Sequence, residues 1–231
     1  MSETVIFCIP GTTFSHKFLA SWTATLQWCQ NNGINVILSQ ATGANIYEVR
    51  NKTLGGYIKF GPFQKPFQGS IKYDWIMCLD SDQTWSIKDF QKILNTMRGN
   101  PNIPILTGVY CRVTDQESNY TTILKFVDDS TLNRAYRLLS YRELSELPEL
   151  CKVDGAGLGF CMFRYGVFES IDFPWYRPYD IIDLKLNKYI QAAGEDVSLF
   201  MYLKEAGIDL WCDTTLKIKH EKMKEHIGGD I

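Results

Sequence analysis

The sequence lacks the features that would mark a membrane-spanning, secreted or nucleic-acid-binding protein. Its formal net charge is only −2 at pH 7, which gives no electrostatic reason to expect nucleic acid or an anionic membrane as a partner. No stretch approaches the roughly 18 apolar residues that are needed to span a bilayer. The first residues have no basic region of the kind that opens a signal peptide. We therefore expect no integral membrane segment and a cytoplasmic location.

The cysteines lack the spacings that would indicate a disulfide framework or a zinc site. There are seven, an odd number, and none forms a CxxC pair. Four lie in apolar runs, which is typical of small buried residues in a reducing compartment (Cys8, Cys78, Cys161, Cys212). The 45% of hydrophobic and 22% of charged residues are typical of a globular protein with one good-sized core. With no linker or repeat in view, we expect a single domain over residues 1–231.

Hydrophobic patterning predicts an α/β fold. In the first half, predicted strands alternate with predicted helices: strands at 5–9, 36–38, 75–79 and 103–110, helices at 14–31, 45–54 and 86–98. This order predicts a mostly parallel central sheet with helices on both faces. The second half is less regular, with predicted strands at 121–127, 160–163, 210–212 and 216–218, and helices at 141–147, 165–171 and 194–206.

Two carboxylates follow the third predicted strand. Asp80 and Asp82 are two positions apart, so along an extended segment both can point to the same side. Hard oxygen ligands at the end of a strand suit Mg²⁺ or Mn²⁺ that carries a phosphate-bearing substrate. The alternative is an ordinary turn, because Asp and Ser are common turn residues.

Three segments follow predicted strand ends and are expected to converge on one cleft. They are Pro10-Gly11-Thr12-Thr13, the residues after Ser39, and Asp80-Ser81-Asp82. The expectation rests on a general rule, because ligands of open parallel sheets bind beyond the carboxyl ends of the strands. Arg50 lies on the helix after the second strand and offers donors suited to a phosphate, and a solvated surface arginine fits the sequence equally well.

The second half adds three candidate features. Three glycines precede the strand at 160–163 and either let a bulky ligand come close or simply lead into the strand (Gly155, Gly157, Gly159). Glu195 and Asp196 begin a helix, where acids commonly do no more than interact favourably with the positive end of the helix dipole. His220 follows a short predicted strand, and a single histidine is more often structural than a ligand.

Together these motifs resemble those of glycosyltransferases of the GT-A fold, especially the family 2-like group that includes viral and phage members. In chain order they are VIFCIPG, EVRNKTL, YDWIMCLDSDQTW, LTGVYCR, VDGAGLGFCMFR, AGEDVSLFMYLKEAGIDLWCD and KIKHE. The resemblance covers nearly the whole chain and implies a single Rossmann-like GT-A domain. It implies a nucleotide-binding half at 1–110 and an acceptor-binding half at 111–231. For a viral member, the location would be the host cytoplasm.

The resemblance also implies an activity. It is that of a metal-dependent hexosyl- or deoxyhexosyltransferase with Mn²⁺ or Mg²⁺ as cofactor. The donor would be a UDP-, GDP- or dTDP-sugar, and the acceptor a hydroxyl of a glycan or glycoprotein. A sugar nucleotidyltransferase and a non-catalytic carbohydrate-binding protein of the same fold are the competing hypotheses. The first of these needs a basic Gly-rich loop after the first strand, which IPGTTFSHK matches poorly.

Individual roles follow from the same resemblance. Asp82 matches the direct metal ligand of the DxD motif, Asp80 its partner near the ribose or the metal's waters, and His220 the late histidine that completes the metal site. Asp196, or else Glu195, matches the catalytic acid pair, with Asp196 as the base of an inverting reaction. Donor contacts are implied for Pro10, Gly11, Thr12, Arg50, Asp80 and Ser81. Acceptor contacts are assigned to Gly155, Gly157, Trp175 and Tyr179, of which the two aromatic residues fit a wall for a sugar ring or the ordinary core.

Two segments depart from the family's pattern. The run GGYIKFGPFQKPFQGS at 55–70 is longer and richer in Gly, Pro and Phe than a simple connection. It is interpreted as a lid, an acceptor loop or a surface excursion. The end of the second strand, at 39–45, has no acid to hold a base or ribose. The donor nucleotide and the stereochemistry of transfer therefore stay open.

Overall fold

The computed structural model of the chain describes residues 2–111, 120–127 and 131–221, which form a mixed α/β fold. The strands are β1 (Thr4–Pro10), β2 (Asn35–Ala41), β3 (Trp75–Leu79), β4 (Gln83–Thr84), β5 (Ile105–Val109), β6 (Tyr120–Val127), β7 (Ala135–Ser140), β8 (Leu150–Val153), β9 (Gly155–Ala156), β10 (Phe160–Arg164), β11 (Asp180–Asp183), β12 (Lys188–Ala192), β13 (Leu210–Lys217) and β14 (Lys219–His220). The helices are α1 (His16–Asn31), α2 (Ile46–Thr53), α3 (Ile87–Gly99), α4 (Tyr141–Ser145) and α5 (Glu195–Glu205). Within these described ranges, no helix has the length and apolar character needed to cross a bilayer.

The central sheet has seven strands in the order β2-β1-β3-β10-β5-β13-β8. β1 is parallel to β2 and β3, and β13 is parallel to β5. β10 runs antiparallel between β3 and β5, and β8 is antiparallel at the edge. Because β10 is antiparallel to both of its neighbours, β3 and β5 point the same way, and only β10 and β8 oppose the other strands. The predicted mostly parallel sheet is therefore confirmed.

Helices cover both faces of the sheet, as predicted. The alternation of side chains along β1 shows the two cores: Val5 and Phe7 belong to one, and Ile6 and Cys8 belong to the other. Buried residues of α1 and α3 complete the first core, and Phe200 of α5 with the residues that follow α2 completes the second. The carboxyl ends of β1, β2 and β3 are left uncovered between these layers.

Side-chain caps explain where two of the predicted helices begin. Ser86 and Asp89 form the predicted capping box at the start of α3. α1 begins at His16 rather than two residues earlier, because the Ser15 hydroxyl accepts a hydrogen bond from the Phe18 amide at 3.0 Å.

Most errors of the sequence prediction lie in the second half. The helix predicted at 165–171 is wrong: only a 3₁₀ turn, Phe168–Ser170, forms there. Gly166 has a φ of 99°, which no right-handed helix contains. The strands predicted at 210–212 and 216–218 are one strand, β13. The hairpin of β11 and β12 was not predicted, because every residue of β12 is exposed and its sequence carries no burial alternation.

Candidate functional site

A cleft of about 400 Å³ opens at the carboxyl ends of β1, β2 and β3. Its lining comes from the loop after β1, the loop before α2 with part of that helix, the turn after β3, and the start of α5: Pro10, Gly11, Thr12, Thr42, Gly43, Ala44, Ile46, Val49, Arg50, Asp80, Ser81, Asp82 and Glu195. The three segments predicted to converge do so. Parallel strands account for this, since their carboxyl ends lie at one edge of the sheet.

Arg50 forms the buried wall of this cleft. Its side chain is only 4% exposed, so the alternative of a solvated surface arginine is wrong. Nη2 donates to Asp80 Oδ1 at 2.6 Å and lies 3.5 Å from Glu195 Oε1. Burial alone would lower the pKa of Arg50, but these two carboxylates raise it above its ordinary value, so the guanidinium stays charged. Nε and Nη1 are buried and have no hydrogen-bond partner among the described residues.

Asp82 and His220 meet on the other side of the turn after β3. His220 Nε2 lies 2.9 Å from Asp82 Oδ2, and His220 Nδ1 lies 3.0 Å from the carbonyl oxygen of Cys111. A carbonyl oxygen can only accept, so Nδ1 carries a proton and Nε2 faces the carboxylate. A neutral imidazole would place a lone pair against that carboxylate, so a proton or a cation is required between the two atoms. When a proton and not a cation lies between them, the hydrogen bond to Asp82 raises the pKa of His220.

This pair fits two positions of a divalent cation site. Ligands about 2.1 Å from an octahedral ion lie about 3.0 Å apart when adjacent, close to the 2.9 Å between Oδ2 and Nε2. The contact from His220 Nδ1 to a backbone carbonyl is the usual way of orienting a metal-binding imidazole.

Asp80 does not join the pair as a third ligand. Its carboxylate is engaged by Arg50 instead. Throughout residues 2–111, 120–127 and 131–221, no group of three or more His, Cys, Asp or Glu side chains is arranged to hold a metal ion. The predicted set of Asp80, Asp82 and His220 is thus corrected to two side chains. Substrate oxygens and water would have to supply the remaining ligands, as is common for Mg²⁺.

Glu195 and Asp196 begin α5 beside the cleft. Glu195 lines it, and Asp196 is half-buried behind it. Burial, together with the neighbouring charge of Glu195, raises the pKa of Asp196 to about 6. Its Oδ1 accepts a hydrogen bond from the Val197 amide at 2.7 Å. A carboxylate with a pKa close to neutrality suits the removal of a proton from a substrate.

The glycine segment makes room for a tyrosine and not for an open ligand site. A Cβ on Gly157 would overlap the hydroxyl of Tyr110, and one on Gly159 would lie 2.8 Å from it. The hydroxyl of Tyr110 accepts a hydrogen bond from the Gly159 amide at 2.9 Å, and its ring packs edge-on against His220 at 5.5 Å. Gly155 is buried against Leu124. The expectation that Gly155 and Gly157 let a ligand approach is therefore corrected.

Sequence reasoning missed Tyr110 and Gln83, which both lie beside the glycine segment and His220. Tyr110 directly follows β5 at the same edge of the sheet as the other strand ends, and that position was the available signal. Gln83 is fully buried, and its amide atoms have no partner among the described residues. It is opposite His220 in the short β4–β14 pair.

The aromatic residues predicted for the acceptor side lie in the core. Trp175 is fully buried and packs on Phe173 with ring centroids 5.3 Å apart. Tyr179 is 9% exposed and donates to Glu205 Oε1 at 2.9 Å. The core alternative therefore holds for both, because neither ring presents a face to solvent.

A larger cavity, of about 630 Å³, lies away from this cleft. Most charged side chains around it are paired with each other: Arg137 with Glu143, Lys152 with Asp209, and Lys204 with Asp154. Paired charges leave little with which to recognise a phosphate, so we take the smaller cleft as the candidate site.

No family model matches this sequence, and a search of curated proteins finds no relative. Among solved structures, A197 from STIV is similar, with a TM-score of 0.54 and 18% identity over 96% of this chain and 86% of that one. CMP:2-keto-3-deoxy-manno-octonic acid synthetase complexed with CTP has a TM-score of 0.42 and 12% identity over 94% of this chain and 90% of that one. GalNAc-T7 with UDP, GalNAc and Mn²⁺ has a TM-score of 0.48 and 10% identity, over 97% of this chain and 44% of that one. At such identities the likeness concerns the fold alone, and the mixed α/β architecture is consistent with the GT-A-like single domain that was predicted.

Proposed function

We propose that this chain is a metal-dependent glycosyltransferase that moves a sugar from a nucleotide-sugar donor to a hydroxyl of a glycan or glycoprotein. One observation carries the proposal. The cleft at the strand ends is lined by Asp82, whose carboxylate meets His220, and by Glu195, whose neighbour Asp196 is a half-buried acid with a pKa raised to about 6. The pair is suited to a cation that carries phosphate, and the acid is suited to proton removal. A metal-dependent, inverting transfer from a nucleotide-sugar uses both.

Donor binding is assigned to the residues that line the cleft. Asp82 and His220 would hold Mn²⁺ or Mg²⁺, which when bound would neutralise the charge that builds on the leaving nucleoside diphosphate. Arg50 holds Asp80 at the cleft edge, where the carboxylate could accept hydrogen bonds from ribose hydroxyls. Pro10, Gly11, Thr12 and Ser81 line the cleft and would contact the donor nucleotide.

Asp196 is assigned the role of base in an inverting reaction. It would take the proton from the acceptor hydroxyl as that oxygen attacks the anomeric carbon and the bond to the nucleoside diphosphate breaks. A positioned base typically contributes about 10²–10⁴-fold to the rate. If transfer retains the anomeric configuration, no base is needed, and Asp196 would contact the donor sugar instead.

A donor screen tests the proposal. The protein is incubated with UDP-, GDP- and dTDP-sugars in the presence and absence of Mn²⁺, and release of the nucleoside diphosphate is measured. A parallel reaction contains nucleoside triphosphates with sugar 1-phosphates. Turnover only in the first reaction supports a glycosyltransferase, and turnover only in the second supports a nucleotidyltransferase. The absence of turnover in both reactions supports a binding protein. NMR of the product's anomeric proton distinguishes inversion from retention.

Two variants test the assigned roles. Asp196→Asn should abolish transfer and leave donor affinity nearly intact, because the residue acts on the acceptor. Asp82→Ala should remove Mn²⁺-dependent donor binding in calorimetry. Asp172→Asn, which changes an exposed aspartate elsewhere, is the matched control. Loss of donor binding in Asp196→Asn, or unchanged affinity in Asp82→Ala, would contradict the respective assignment.

A further inference from the structure

The segment between α2 and β3 differs in charge from the rest of the chain. Residues 54–74, which join the two elements, contain three lysines and a single acid, Asp74. The whole-chain charge of −2 conceals this local excess of positive charge. The same segment contains the Gly-, Pro- and Phe-rich run that the candidate site does not use.

Large apolar side chains of this segment point into solvent. Phe63 is 93% exposed and Ile58 is 86% exposed, and Phe60 and Tyr57 are close to half exposed. We refer to residues 57–63 as the aromatic loop. Single exposed apolar residues are ordinary, but two almost fully exposed ones with two aromatic neighbours in seven residues indicate a surface that contacts something apolar.

The aromatic loop is held in this shape by hydrogen bonds. The side-chain amide of the buried Gln64 donates to the Tyr57 carbonyl at 2.7 Å, and its Oε1 accepts from the Tyr57 amide at 3.0 Å. Gln68 Nε2 donates to the same Oε1 at 3.0 Å. A short 3₁₀ turn, Ile58–Phe60, completes the loop. The apolar side chains are therefore presented by an ordered scaffold.

Lysines stand directly beside the apolar side chains. Lys59 Nζ lies 4.9 Å from the centroid of the Phe60 ring and 5.5 Å from that of Tyr57. Lys65 follows the loop, and both lysines are exposed. Aromatic rings with ammonium groups beside them suit the boundary between lipid head groups and acyl chains. The rings can enter the apolar layer while the ammonium groups stay among the head groups.

The size of the surface distinguishes a bilayer from a protein partner. The exposed side chains of the aromatic loop offer on the order of 500 Å², below the roughly 800 Å² per partner of a stable protein interface. A bilayer needs no complementary surface, and anionic lipids complement the lysines. We propose that the aromatic loop docks this protein peripherally on an anionic lipid bilayer. This inference does not rest on the proposed function.

Vesicle co-sedimentation of the full chain tests the inference. The protein should sediment with mixed vesicles of phosphatidylcholine and phosphatidylserine, and less of it should sediment with phosphatidylcholine alone. High salt should reduce sedimentation with the mixed vesicles, because it screens the charges. Ile58→Ser with Phe63→Ser should lower the partition coefficient by about tenfold or more. Lys59→Gln with Lys65→Gln should lower it by about tenfold on anionic vesicles only, since each lysine contributes a few-fold. Leu19→Ser removes a half-exposed leucine of α1 and should change nothing.

The loop variants are expected to fold, because the substituted side chains are exposed, and circular dichroism with thermal unfolding checks this. The inference is overturned if the folded protein does not sediment with anionic vesicles. It is equally overturned if the loop variants sediment as the unchanged chain does. Sedimentation velocity supplies a third decisive outcome. A concentration-dependent dimer that Phe63→Ser dissociates would show that the loop joins two copies of the chain.

Discussion

Replacing Asp196 by asparagine should make the protein more stable at neutral pH while it removes the proposed base. Asparagine has nearly the same shape, and its carbonyl oxygen can still accept the hydrogen bond from the Val197 amide. The substitution therefore removes the charge of the side chain and little else. Its effect measures how strongly the fold opposes an ionised carboxylate at this position.

The size of the effect follows from the pKa of Asp196, which rises from an ordinary 3.8 to about 6. That difference corresponds to about 3 kcal/mol of penalty on the charged form. Because the side chain is only half-buried, water screens part of this penalty, and we expect a gain of about 1–3 kcal/mol. For a chain of this length, such a gain raises the melting temperature by about 2–10 °C.

The gain should depend on pH in a defined way. Below about pH 4, Asp196 is protonated in both the folded and the unfolded chain, so the variant gains nothing. Between pH 4 and 6 the unfolded chain loses this proton first, and the unchanged protein loses stability relative to the variant. Above about pH 6 the carboxylate is charged in both states, and the full difference remains.

Thermal and urea unfolding between pH 3.5 and 8 measure this difference. Asp172→Asn, at an exposed position, should leave the free energy of unfolding unchanged and serves as the control. A variant that is destabilised at neutral pH, or a gain that is the same at pH 4 and pH 7, would refute the reasoning. The first result would mean that the carboxylate is stabilised by its surroundings, and the second that the effect is not electrostatic.

Three further expectations concern neighbouring parts of the site. His220→Ala should weaken Mn²⁺ binding by more than about tenfold in calorimetry, and unchanged binding would show that the Asp82–His220 pair holds no metal. Arg50→Met should lower the free energy of unfolding, measured in urea, by about 2–4 kcal/mol, because it leaves two partly buried carboxylates without their cation. A stability equal to that of the unchanged protein would contradict this. Gly157→Ala should lower the free energy of unfolding by about 1–3 kcal/mol, because the added Cβ overlaps the hydroxyl of Tyr110. Tyr110→Phe in the same chain should restore part of that stability, whereas strictly additive effects of the two substitutions would contradict the overlap.

Much of the first half of the fold is legible from the sequence because its signals are local. The apolar runs of β1 and β3 are buried along their whole length, and the capping box of Ser86 and Asp89 marks the start of α3. The second half was harder to predict. The β11–β12 hairpin is stabilised by one strand pairing, and a single glycine with positive φ, Gly166, replaces a predicted helix by a turn.

The sequence by itself also determined which strand ends reach the candidate cleft. Asp80 and Asp82 directly follow a buried strand, and parallel strands bring their carboxyl ends to one edge whatever the details of packing. Only the tertiary structure decided what each side chain does there. Arg50 meets Glu195 across 145 residues, and Asp82 meets His220 across 138. The spacing of residues along the chain carries no information about such distances. The pKa of Asp196 depends in the same way on burial and on a neighbouring charge, which arise only when the chain has folded.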